Sequence, residues 1–116
     1  MFDDVTSVAV HTALSGLSMR QRVIADNIAN IQTPGFLAGK VSFEDALRSA
    51  VADGTPGDAS PAIARSLEPT REDGNNVNLD EETLSNTSTD LSYSLMLRAM
   101  DDKFGLLGTV IKGSGS

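Results

Sequence analysis

Two stretches of this chain repeat their apolar residues at alternating steps of four and three, and nothing else in the sequence restricts the fold as strongly. In the first, Val10, Leu14, Leu17, Gln21, Ile24, Ile28 and Ile31 form one line, with Gln21 its only polar member. A heptad-like stripe of this length predicts a helix from Val5 to Ile31 with one buried face. At about 1.5 Å per residue it is roughly 40 Å long. Asp3 and Asp4 stand where negative charge suits the positive end of the helix dipole. In the second stretch Tyr93, Leu97, Met100, Phe104, Leu107 and Ile111 repeat the same alternation, and the line continues backward through Asp90 and Asn86. Asn78 with Glu81 three residues later resembles a capping box, and Asp80, Glu81 and Glu82 place acid in the first turn. Lys112-Gly113 is the expected end. Gly105 and Gly108 each weaken the helix by ~1 kcal/mol relative to Ala.

The first stripe stops in NIANIQTPGF, residues 27–36. Thr33 precedes proline and is pushed out of the helical region. Pro34-Gly35 suits a tight turn, which delivers Phe36. Asn30 ends the helix either by accepting a left-handed backbone or by bonding a freed carbonyl. Beyond the turn, VSFEDALRSAV (41–51) reads as a short helix capped by Ser42 and ending by Asp53-Gly54. Residues 54–74, GTPGDASPAIARSLEPTREDG, hold three of the four prolines and few large apolar groups, and read as a flexible loop. The expected fold is all-α: long N- and C-terminal helices paired as a coiled coil, joined by a short helix and a Pro/Gly-rich loop. The expected divisions are 1–33 for the first axial helix, 34–79 for the turn, short helix and loop, and 80–116 for the second axial helix and tail.

Composition closes several other routes. The formal net charge of −7 argues against nucleic acid or anionic lipid as the main partner. There is no cysteine, hence no disulfide framework and no thiol nucleophile. No apolar run approaches ~18 residues, and the acidic MFDDVTSV lacks the pattern of a Sec signal. DGNNVNLDEE (73–82) fails as an EF-hand loop. Counting from Asp73, Asn78 falls where the glycine belongs and Leu84 where the bidentate glutamate belongs. A turn leading into a helix N-cap is the plainer reading. His11 stands alone, Asp101 and Asp102 point to different faces, and the sequon Asn86-Thr87-Ser88 lies inside a helical pattern. No catalytic residue, metal site, cofactor or small-molecule substrate is expected.

Energetics then point to assembly. Ordering some 60 helical residues costs about 1–2 kcal/mol each in backbone entropy, and a two-helix hairpin covers only one side of each seam residue. Chains this small usually need an oligomer or a staple. Ala9, Ala13 and Gly16, with Ala25 and Ala29 further on, give the first helix a small-residue flank that permits close approach. Leu91, Leu95 and Met96 widen the apolar surface of the second. The isolated chain is expected to be poorly helical, and Gln21 to be either a register device or a contact to another subunit.

RQRVIADNIANIQTPGF (20–36), together with GNNVNLDEE (74–82), Asn86, Tyr93 and KFGLLGTVIKG (103–113), resembles the flagellar rod and hook proteins of the bacterial axial family. The likeness covers both ends of the chain. Phe36 stands where Tyr is common and Leu37 where Lys is often seen. The resemblance implies a structural subunit, not an enzyme, of the proximal rod in the flagellar basal body. It implies self-assembly by helix packing and a link between membrane ring and rod that transmits torque. It implies export through the flagellar type III apparatus without a Sec signal, and residence in the periplasmic space. Implied partners are copies of the chain, other rod proteins, and proteins of the membrane ring and ring–rod junction. The subunit-packing residues are then the two stripes, with Asn27 and Asn30 candidates for bonds to adjacent subunits and Thr33 to Phe36 the turn that ends the axial helix. Alternatives are another proximal rod subunit or a soluble coiled-coil adaptor or export chaperone.

Overall fold

The computed structural model describes the backbone of residues 2–115 and the side chains of residues 5–101. Two long helices dominate: α1, Phe2–Ala29, and α3, Leu79–Gly115. Between them lie β1 (Gly39–Ser42), α2 (Glu44–Ala52), a 3-10 turn at Pro56–Asp58 and β2 (Ala62–Arg65). The Cα atoms extend 69 Å along the long axis and 26 and 14 Å across it. No described helix is long and apolar enough to cross a membrane.

α1 and α3 form an antiparallel hairpin. Gln21 Nε2 donates to Asp90 Oδ1 at 2.8 Å, and Asn27 Nδ2 donates to Glu82 Oε1 at 3.1 Å, so rising numbers on one helix meet falling numbers on the other. The start of α3 is built as its letters suggest. Asn78 Oδ1 accepts from the Glu81 N–H at 3.2 Å.

The all-α expectation is overturned by the antiparallel pair β1–β2, in register Gly39↔Arg65, Lys40↔Ala64, Val41↔Ile63 and Ser42↔Ala62. β1 alternates buried and exposed along Gly-Lys-Val-Ser, the period of a strand. Val41 and Ser42 therefore belong to β1 and not to the short helix, and Ser42 is no cap. The N-cap of α2 is Phe43, at φ −152° and with no side-chain cap bond. Burial explains the shift. A serine cap is worth ~1 kcal/mol, whereas a buried aromatic is worth ~1.5–3 kcal/mol, and Phe43 is drawn against α1. There it joins Ala13, Leu17 and Val41 in a core edged by Met19, Val23, Leu47, Tyr93 and Met96. The contact needs Gly16, because a Cβ at that position would lie 2.6 Å from the Phe43 ring. α2 ends where expected, in a Schellman arrangement. Thr55 N–H donates to Ala50 O, Gly54 N–H donates to Val51 O, and Gly54 has φ +77°.

The expected flexible loop is likewise corrected, since residues 54–74 contain the 3-10 turn and β2. β2 is exposed along its whole length and carries little apolar signal. It exists because its backbone completes a ladder with β1, a partner that local sequence cannot name.

Candidate functional site

Three asparagine amides pin the closed end of the hairpin. Asn27 is fully buried. Its Nδ2 donates to Gly39 O at 2.9 Å while Gly39 N–H donates to Asn27 Oδ1 at 2.8 Å, the reciprocal pair that a neighbouring strand would make. Asn76 does the same work at the end of the ladder. Ala38 N–H donates to its Oδ1 at 2.7 Å, and its Nδ2 donates to Ser66 O and Glu68 O, each at 3.1 Å. Asn75 holds the turn after α1, donating to Asn30 O at 2.8 Å and Thr33 O at 2.9 Å. Arg71 reaches Val77 O and Ile31 O, and Gly35 N–H donates to Asp73 O. The helix stop and the run before α3 are thus one hydrogen-bonded knot. The buried Glu82 carboxylate closes it, accepting from Asn27 and pairing with Lys40 Nζ at 3.4 Å. Among the described residues no buried side-chain polar atom lacks a partner.

Asn30 ends α1 by the second of its two routes. Its Nδ2 donates to Asp26 O at 2.8 Å, and among the described residues no non-glycine residue has a positive φ. Thr33 and Phe36 close a turn through Phe36 N–H to Thr33 O, with Pro34 and Gly35 (φ +74°) at its centre, the arrangement of a type II turn. Thr33, Pro34 and Gly35 face solvent, while Phe36 is half-buried beneath Arg65, whose guanidinium lies 5.4 Å from the ring.

Arg20 fixes α2 to α1. It lies 5.0 Å over the Phe43 ring, donates to Val41 O at 2.7 Å, and forks onto Glu44. The Arg20 hydrogen bond is the main reason that the Glu44 pKa falls from 4.5 to about 2.

The predicted seams divide. Leu17 and Ile24 are buried, Val10, Leu14, Gln21 and Ile31 half-buried, and Ile28 sits at the margin with 36% exposure. Tyr93 and Met100 are half-buried and Leu97 is exposed; the side chains of Phe104, Leu107 and Ile111 lie outside the described residues. Gln21, the polar member of the first line, bonds Asp90 of the second inside one chain. Asn27 spends its amide within the chain.

What stays open is more telling for assembly. Leu84, Leu91 and Leu95 on α3 are 72%, 61% and 55% exposed. On one flank of the hairpin a groove of about 420 Å³ runs between α2 and α3, floored by Ala13, Leu17 and Phe43. On the other flank a groove of about 310 Å³ is lined by His11, Ser15, Ser18 and Arg22 of α1 and Tyr93 of α3. Among the described residues, no three acidic or histidine side chains gather as metal ligands would. Sequence reasoning missed Phe43, Asn75, Asn76, Arg71 and Glu82. The one available signal was the density of asparagine in GNNVN, an amide-rich run ahead of a helix.

Comparison with known proteins adds a family. The profile of the flagella basal body rod protein family matches residues 10–36. Flagellar basal body rod protein FlgB of Bacillus subtilis (strain 168) is 32% identical over 117 aligned residues, which cover 90% of this chain and 91% of that protein. FlgB of Borrelia hermsii is 32% identical, covering 88% and 92% respectively. FlgB of Escherichia coli (strain K12) is 28% identical, covering 88% and 90%.

Proposed function

The chain belongs to the FlgB family of flagellar basal body rod proteins, and from that premise we propose that it builds the proximal rod and helps join it to the membrane ring, carrying torque between them. It is a structural rod subunit. Its work is to hold helices at fixed positions, and it needs no cofactor to do so. The finer reading is that it leaves the cell through the flagellar type III channel and takes its place in the periplasmic space among copies of itself, other rod proteins and ring–rod junction proteins.

One geometric observation carries this reading: an elongated antiparallel hairpin whose closed end is saturated internally, but whose α3 presents large leucines to solvent, Leu84, Leu91 and Leu95 among them. Exposed apolar lines of this kind mark places where another helix belongs. Fractionation tests it. Isolated basal bodies are expected to contain the protein at the membrane-ring end of the rod, and cells lacking it are expected not to swim. A protein found only in the cytosol, as a discrete dimer, points instead to an adaptor or export chaperone.

A further inference from the structure

The leucine line of α3 and the groove beside α1 repeat their residues at the same steps of four and three. We propose that the leucine line of α3 in one copy packs into the groove beside α1 of a second copy of this chain, so that subunits join head to tail around the rod. This proposal rests on the rod-subunit reading above.

Leu84, Leu91 and Leu95 share one line on α3, with Asp80 a turn before Leu84. On α1 the groove side follows the same steps of four and three through His11, Ser15, Ser18 and Arg22. Matching spacing lets two helices stay in contact along their length, and serines at 15 and 18 leave room for leucine knobs over the Tyr93 floor. Charge points to the same fit. Arg22 bonds only the Ser18 hydroxyl, at 3.2 Å, and no carboxylate reaches it among the described residues. Asp80 is exposed and, among the described residues, has no cation beside it.

Copies aligned along a common axis bring α3 of one against α1 of the next in antiparallel sense, as within the chain itself. A single register then places Leu84 on Ser18, Asp80 beside Arg22 and Leu91 beside His11. The paired surfaces are two different patches of one molecule, which makes the contact heterologous, and a heterologous contact propagates into rings or helical filaments. Another copy is therefore sufficient to fill the groove.

The native sequence has no cysteine, so cross-linking reads the contact directly. Within one chain Ser18 lies level with Tyr93, about 13 Å along the axis from Leu84, too far for an intrachain disulfide. Chains carrying Ser18→Cys and chains carrying Leu84→Cys are expressed together, and basal bodies are isolated and oxidised. A linked dimer is expected only when both variants are present. Arg22→Glu is expected to cut its yield several-fold, and adding Asp80→Lys to the leucine partner is expected to restore it. Self-linking of Leu84→Cys chains, linkage of either cysteine to a different protein, or incorporation of both variants without a link overturns the proposal while leaving the rod role intact. Absence of the protein from basal bodies overturns the rod reading, and this proposal with it.

Discussion

At the scale of single residues, the structure separates asparagines that look alike in sequence. Asn27 is enclosed and serves two strand groups and a carboxylate, whereas Asn30 is partly exposed and serves the end of its own helix. Removing Asn27 leaves Gly39 and Glu82 with buried unmet groups, each worth about 1–3 kcal/mol. Asn27→Ala is therefore expected to lower unfolding stability by at least ~2 kcal/mol in chemical denaturation, and Asn30→Ala by ~1 kcal/mol or less; equal losses would dismiss the knot as the organising feature. The Arg20–Glu44 pair supplies a pH signature. Because the folded pKa of Glu44, about 2, lies below its ordinary 4.5, the pair's contribution is full above about pH 5 and disappears as pH falls toward 2. Glu44 is about half exposed, so solvent screening holds the contribution to ~1 kcal/mol or less. Melting curves of the native chain and of Glu44→Gln are expected to differ at pH 6 and to converge near pH 2.

At the scale of elements, the long helices and the helix stop were legible because their signals are local: a period of 3.5 residues, an Asn N-cap, and a proline that its predecessor must accommodate. The sheet and the knot were not, since Asn27 finds its strand partner 12 residues away and Asn75 finds Asn30 at a separation of 45. A strand as plain as Ala-Ile-Ala-Arg is specified by what it pairs with, not by what it is. Two of the polar seam residues, Gln21 and Asp90, illustrate the gap between pattern and meaning. Each interrupts an apolar line, and together they form one bond that ties the relative slide of α1 and α3 to a single position. A double-mutant cycle with Gln21→Ala and Asp90→Ala is expected to show a coupling of ~0.5–1 kcal/mol. Strictly additive losses would mean that the bond does not set the register.

At the scale of the whole molecule, burial is uneven along the long axis. Among the described residues the buried side chains lie between Ala13 and Asp90, while those before Ala13 and after Asp90 are exposed or half-buried. Native-state hydrogen exchange of the dilute protein is therefore expected to protect amides around Asn27, Val41, Val77 and Glu82 most strongly, and those of residues 5–12 least. Uniform protection along α1 would contradict that gradient. The same experiment tests the expectation that the isolated chain is poorly helical. β1 has a further mechanical consequence. With Asn27 and Arg20 seated on one margin of the ribbon and β2 on the other, a slip of one residue would break every seat at once. Held on both edges, this platform resists sideways sliding, and a load applied to it is handed on to the helices that grip it, the way a key seats a collar on its shaft.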